Sequence, residues 1–254
     1  VMSLAVGLGP RHDLMQEELN PHARLELHHP VMIPATYQQH QLEENSGLKQ
    51  HSLKMAYPLS GDHRAMHKAL NQLGVAAETA VREGSQILVL EHEAVAEDRA
   101  ALPLLWAVVY VHQHLLREGL RARCSLVVAA DDAWETHHFA TLLGFGAEAI
   151  YPAMVYRLLQ KDAETAGSDA SVAFEQYQDA AGKGLLKIMA KMGISTLRAY
   201  QGAQLFEAIG LSREVIEEAF TGTFRHVEGL SWSALGREVS ELYAHAFGPE
   251  SETE

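Results

Sequence analysis

The chain has 254 residues, of which 47% are apolar and 21% are charged, and it carries a formal net charge of −13. This size allows one substantial domain or two small ones. The acidic balance argues against nucleic acid and against an anionic membrane surface as partners, because both require clustered Lys and Arg. The single cysteine, Cys124, excludes an internal disulfide and an all-cysteine metal or iron–sulfur site. No apolar stretch reaches the length of a membrane span, and residues 1–10 lack a basic signal-peptide region, so we expect a cytoplasmic protein.

Residues 1–53 show no sustained period of a helix or a strand, and they contain four prolines. We therefore expect an extended N-terminal segment that packs on the surface of the core.

Residues 54–160 alternate between strand-like and helix-like patterns. A short apolar run of the kind buried on both faces of a sheet occurs at residues 86–90. A second buried strand is expected at 124–130, and further strands are expected at 147–151 and 53–57. Helices are expected over residues 61–83, 103–118 and 133–143. This alternation predicts an α/β fold, a parallel β-sheet with alternating helices that resembles part of a barrel.

Residues 161–254 are interpreted as a helical C-terminal part of the same domain. Residues 161–170 are polar and small, which favours a surface loop. The next helix is predicted by Leu185, Ile188, Met189 and Met192, which fall at i, i+3, i+4 and i+7, and Gly193 suits its end. Further helical runs are expected after residue 203, at 213–220 and at 233–247.

Several acidic residues follow the predicted strands, at the edge where parallel α/β folds place their chemistry. These residues are Glu91, Glu93, Asp131 and Asp132. Carboxylates that meet at one mouth could bind a divalent cation. On an acidic chain, however, we favour solvated loop residues as the interpretation.

Other catalytic patterns are weak in this sequence. The strand ends at 91, 131 and 151 lack the glycines that expose backbone amides to a phosphate, so we expect no flavin in this chain. His112 shares a helix face with Val108 and Leu115, which favours a hydrogen-bonded core histidine. No H-E-x-x-H motif and no G-x-S-x-G turn is present, so a zinc hydrolase and a serine nucleophile are not predicted.

The most distinctive part of the sequence lies between residues 183 and 229. The string KMGIST at residues 191–196 is followed by Tyr200, by GAQ at 202–204, by FEA at 206–208, by GL at 210–211 and by FTGT at 220–223. This order resembles the central region of the large subunit of glutamate synthase. It departs from that pattern at Gln201, where a basic residue is usual, and at residues 224–226.

The resemblance implies a role without catalysis by this chain alone. In that family, glutamate is made from glutamine and 2-oxoglutarate, and a central domain connects a glutaminase domain with an FMN domain. FMN and the iron–sulfur cluster belong to other domains, and no cofactor is expected here. Partners would be those domains of the same subunit, with a small electron-transfer subunit as a further candidate. Candidate interdomain contacts are Lys183, Lys187, Lys191, Tyr200 and Gln204. The alternative is a stand-alone α/β protein that binds a metal or a phosphate ligand at the acidic mouth.

Overall fold

A computed structural model describes residues 2–11, 24–41, 47–59, 62–92 and 98–247. In chain order its elements are β1 (Val6–Leu8), β2 (Leu25–Leu27), α1 (Pro34–Gln41), β3 (Gln50–Lys54), β4 (Ala56–Pro58), α2 (Ala65–Arg82), β5 (Ile87–Glu91), β6 (Arg99–Ala101), α3 (Leu104–Arg117), β7 (Ser125–Ala130), α4 (Thr136–Gly144), β8 (Ala149–Pro152), α5 (Ala153–Ala166), α6 (Ser171–Met192), α7 (Leu197–Tyr200), β9 (Glu207–Leu211), α8 (Arg213–Glu218), β10 (Phe224–Leu230) and α9 (Trp232–Phe247).

The centre of the fold is a four-stranded parallel sheet in the order β3-β5-β7-β8. The two inner strands, β5 and β7, consist almost entirely of buried apolar residues, as strands covered on both faces do. Helices α2, α3 and α4 connect consecutive strands. The predicted α/β class with a parallel sheet and alternating helices is therefore confirmed, with half the strands of a closed eight-stranded barrel.

The two faces of the sheet are covered by different parts of the chain. On one face Leu88, Leu126 and Ile150 share a core with the helices. On the other face Val89 and Val127 contact residues of the N-terminal segment. The N-terminal residues of this second core are Leu8, Leu27, Met32, Tyr37 and Leu48.

The N-terminal segment also pairs with two distant parts of the chain. The backbone N–H of Met32 donates to the carbonyl of Ile150 at 2.8 Å, and the N–H of Ile150 donates to Pro30 at 2.7 Å. The N–H of Ser3 donates to the carbonyl of Ser195 at 2.9 Å, within the KMGIST string. The two bonds to Ile150 cover the otherwise free edge of β8, as an exposed strand edge requires.

Two expectations for the C-terminal part were wrong. Helix α5 continues through residues 161–166, where a loop was expected. This stretch contains the good helix formers Lys161, Ala163 and Glu164. Gln160 donates to Glu164 one turn on, and Gly167 ends the helix at a φ of 65°. The helical run expected after residue 203 is instead β9, which pairs in parallel with β10. Among the helices of the described residues, none combines the length and apolar character needed to cross a bilayer.

Candidate functional site

A cleft of about 680 Å³ opens at the carboxyl end of the sheet, between the start of α3 and the helices α5 and α9. Ligand sites of open α/β sheets collect at this end, and the volume lies within the range of small-molecule pockets. Its polar and aromatic lining consists of His92, Asp131, Asp132, Trp134, Arg157 and Tyr243.

Asp132 lies between this cleft and a neighbouring cavity of about 300 Å³. Its Oδ2 accepts a hydrogen bond from the backbone N–H of Leu104 at 3.1 Å, which satisfies one free amide of the first turn of α3. Its Oδ1 is buried without a hydrogen-bond partner. Burial raises the pKa of the Asp132 carboxyl, although the hydrogen bond from the Leu104 N–H opposes the effect. Asp132 therefore carries one buried, unsatisfied acceptor beside the cleft.

His92 stabilises the loop beneath the cleft. The backbone N–H of Asp131 donates to its Nδ1 at 3.3 Å, and its Nε2 lies 3.2 Å from the carbonyl oxygen of Leu102. These contacts fit a neutral ring with the proton on Nε2. Both nitrogens are thus engaged by the backbone, so the ring positions the loop.

The three predicted carboxylates that the structure describes, Glu91, Asp131 and Asp132, do not meet at one point. The carboxylate of Glu91 accepts from Lys54 Nζ at 2.7 Å and from the hydroxyls of Tyr37 and Ser52 at 3.1 Å each. Asp131 pairs with Arg157 at 2.7 Å. The solvated-loop interpretation was therefore wrong for Glu91, which is ion-paired, and for the partly buried Asp132.

Glu93 lies outside the described residues. Within the described ranges, no three His, Cys, Asp or Glu side chains come together as a metal site would need. The described residues therefore give no support to a metal site at the acidic mouth.

The candidate interdomain residues fall into two groups. Lys183, Lys187 and Lys191 are exposed along α6, and no ion pair joins them to another residue of the described ranges. Gln204 is also exposed, at a φ of 54° that non-glycine residues seldom adopt. Tyr200 is only 2% exposed, and burial raises its pKa to about 12. Its burial argues against a contact with another domain.

His112 is a core histidine, as predicted. Its Nδ1 accepts a hydrogen bond from Arg121 Nε at 3.0 Å. Burial and the nearby guanidinium groups lower its pKa to about 3, so the ring stays neutral. Gly146 lies against this ring at a φ of 122°, where a Cβ would collide with the imidazole.

A polar cluster around Glu218 was not predicted. Its carboxylate accepts from the hydroxyl of Tyr110 at 2.6 Å, from His67 Nε2 at 2.9 Å and from the indole N–H of Trp232 at 2.7 Å. Burial alone would raise the pKa of Glu218, but the hydrogen bonds from Tyr110 and His67 lower it. These contacts join α8 and α9 to α2 and α3. Sequence periodicity gives no signal for them, because the partners are far apart in the chain.

The strands β9 and β10 form a two-stranded parallel sheet that carries exposed apolar side chains. Ile209 is 72% exposed, Phe224 is 63% exposed and Val227 is 57% exposed. The register shifts on both sides of Val227. Since parallel sheets are normally covered on both faces, this pair is an unusual surface.

The geometry defines an α/β domain built on a parallel sheet that is covered on both faces. Comparison with known sequences places it further: the glutamate synthase central domain matches residues 1–212. The chain belongs to this family, as the resemblance predicted.

Similar proteins include the NADPH-dependent glutamate synthase large chain of Bacillus subtilis, with 32% identity over 97% of this chain. The ferredoxin-dependent glutamate synthase 1 of Arabidopsis thaliana is 37% identical over 99% of it. The ferredoxin-dependent glutamate synthase 2 of Synechocystis is 35% identical over 97%. The chain spans 16% of the length of each of the first two relatives and 17% of the third.

Proposed function

We propose that this chain acts as the non-catalytic central domain of a glutamate synthase, where it connects a glutaminase domain with an FMN domain. Membership of the family and the names of the relatives support this role. Under this proposal the parent protein makes glutamate from glutamine and 2-oxoglutarate, and the FMN and the iron–sulfur cluster are held by other domains. Its setting is cytoplasmic, although some relatives carry chloroplastic in their names.

The observation that carries the proposal is the exposed parallel pair of β9 and β10. A two-stranded sheet is marginally stable alone, and parallel strands normally have both faces covered. Ile209, Phe224 and Val227 nevertheless lie in solvent. We propose that a neighbouring domain of the same subunit covers them.

The lysines of α6 supply a second contact surface. Lys183, Lys187 and Lys191 are exposed at four-residue spacing on one side of the helix. On a chain with a net charge of −13 they form a local basic row. An acidic surface on a partner domain would complement this row and fix the orientation of the two domains. A small electron-transfer subunit is a further candidate partner.

The proposal is tested by mixing the chain with separately produced glutaminase and FMN domains in an analytical ultracentrifuge. We expect a complex with at least one of them, weakened at least tenfold by the double variant Ile209→Glu, Val227→Glu. Val75→Glu is the matched control, because Val75 is 55% exposed on α2, away from the strand pair. Absence of any complex, or tight binding of FMN by this chain alone, would contradict the proposal.

A second candidate function is ligand binding in the cleft, which the unpartnered Oδ1 of Asp132 favours. The ligand would be a small molecule with a hydrogen-bond donor, since Arg157 already neutralises Asp131. A library of small amines and amides, screened by melting temperature, tests this function because a ligand of the folded state stabilises it. A ligand that raises the melting temperature of Asp132→Ala as much as that of the wild type would exclude Asp132 as its binding partner.

A further inference from the structure

A small polar cavity of about 120 Å³ lies at the amino end of the sheet, at the opposite end from the cleft. The backbone of residues 5–7 forms one side of it. Its charged lining consists of three arginines, Arg11, Arg24 and Arg198, and two glutamates, Glu26 and Glu148. No feature described above assigns a role to this cavity.

The carboxylate of Glu148 already forms an ion pair with the buried side chain of Arg121. Arg121 Nη2 donates to its two oxygens at 2.8 and 2.9 Å, and the backbone N–H of Leu126 donates to Oε2 at 2.7 Å. Arg11 reaches Oε1 only at 3.3 Å, as a further and longer contact. Two guanidinium groups thus share one carboxylate, which leaves a positive charge in excess.

Arg24 contributes an unsatisfied donor. Its Nη2 donates to the carbonyl of Gly7 at 2.7 Å, while its Nε is buried without an acceptor. The guanidinium can lie this close to β1 because residue 7 is glycine: a Cβ there would come within 2.9 Å of Arg24 Cζ. A buried N–H without an acceptor costs free energy, so an acceptor in the cavity would be favourable.

Arg198 completes the cluster at the rim. It is exposed on α7, and no described residue pairs with it. Burial lowers the pKa of Arg11, and the positive charges of Arg121 and Arg198 lower it further despite Glu148. Mutual repulsion among these guanidinium groups is what a bound anion would relieve.

We propose that this cavity binds a small oxyanion of the phosphate class, held by Arg11, Arg24 and Arg198. The forked guanidinium group matches the oxygens of phosphate and donates two hydrogen bonds at once. A volume of about 120 Å³ admits the anionic group itself and little more. The site is independent of the proposed role as a central domain.

Inorganic phosphate is the probe, titrated by calorimetry and by melting temperature at constant ionic strength. We expect phosphate to bind and to raise the melting temperature of the wild type, while an equivalent amount of sodium chloride does not. Arg198→Ala should weaken phosphate binding at least tenfold. Because Arg198 is exposed and has no described partner, this variant should fold, which circular dichroism checks.

Arg237→Ala is the matched control, since Arg237 is an exposed arginine on α9 outside the cavity. It removes the same charge and should bind phosphate as the wild type does. Equal affinity in Arg198→Ala and Arg237→Ala would overturn the proposal. So would the absence of a heat of binding in the wild type.

A carboxylate of the chain itself is the competing occupant. Asp13, Glu17 and Glu18 lie between Arg11 and Arg24 in the sequence. The triple variant Asp13→Asn, Glu17→Gln, Glu18→Gln separates the two cases. Equal phosphate affinity in this variant and the wild type supports the proposal, whereas binding by the variant alone would mean that a side chain of the protein fills the cavity.

Discussion

Arg121 and Glu148 form a buried ion pair at the amino end of the parallel sheet, with side chains 4% and 5% exposed. Arg121 also donates to the carbonyls of Cys124 and Gly146 at 2.7 Å each. The pair therefore ties the start of β7 to the end of α4 and to the start of β8. Its burial makes it far more sensitive to the loss of one partner than a surface pair would be.

Arg121→Met should lower the free energy of unfolding by about 3–5 kcal/mol, because the buried Glu148 keeps only the longer contact with Arg11, at 3.3 Å, as a counter-charge. The double variant with Glu148→Met should recover part of that loss. Arg82→Met serves as the control, since Arg82 pairs with Glu78 at the surface and should cost about 1 kcal/mol at most. Urea unfolding measures all of them, and equal losses for the two single variants would refute the prediction.

His112 should make the protein less stable as the pH falls from about 6.5 towards 3. The folded state holds its pKa at about 3, below the ordinary value of 6.5, so the unfolded chain binds an extra proton in this window. Its contribution is complete above pH 6.5 and decreases as the pH drops. Between pH 7 and pH 5 the loss should be about 2 kcal/mol.

His112→Asn supplies the comparison for this effect, because an Asn oxygen can accept from Arg121 without titrating. The measured quantity is the difference in unfolding free energy between pH 7 and pH 5 for each protein. An identical pH dependence in the two proteins would show that His112 does not have a lowered pKa.

Glu218→Gln should destabilise the protein by about 1–3 kcal/mol, since a single amide oxygen cannot accept from all three donors. The donors are the hydroxyl of Tyr110, the ring of His67 and the indole of Trp232. Glu217→Gln is the control, as its carboxylate is the exposed neighbour on α8. Tryptophan fluorescence during urea unfolding measures both, and equal stability would contradict the prediction.

Asp132→Asn should raise the melting temperature at pH 7. Burial raises the pKa of the Asp132 carboxyl, so the folded state disfavours the charged form. The stability of the wild type is therefore complete below the ordinary pKa of 3.8 and is reduced as the pH rises through the higher folded value. The gain should vanish near pH 3, where the wild type is neutral as well. A lower melting temperature for Asp132→Asn at pH 7 would refute this view of the site.

The sheet was predictable because its strands carry strong local signals. The apolar runs of β5, β7 and β8 are bounded by polar and turn residues, and the helices between them have a clear apolar face. The family resemblance depended on KMGIST and the motifs after it. Each of these motifs is a short run of neighbouring residues, so it can be recognised from the sequence alone. Both kinds of signal are local.

What could not be predicted depends on distant partners. Glu207 and Ala208 belong to types that favour helices, yet they form β9 because β10 pairs beside them. Asp132 looked like one of several loop carboxylates, and only packing against α3 shows that one of its oxygens is buried. The arginines of the small cavity come from the residue before β2, from α7 and from the chain after β1, so no spacing in the sequence brings them together.

The pairing of Ser3 with the backbone around Ser195 limits how early this protein can complete its fold during synthesis. Ser3 leaves the ribosome long before Ser195 is synthesised. The N-terminal segment must therefore remain without this partner while most of the domain is made. Contacts of such long range are slow to form. A nascent chain halted before the KMGIST string would lack this closure, and such incomplete chains are the ones that chaperones protect.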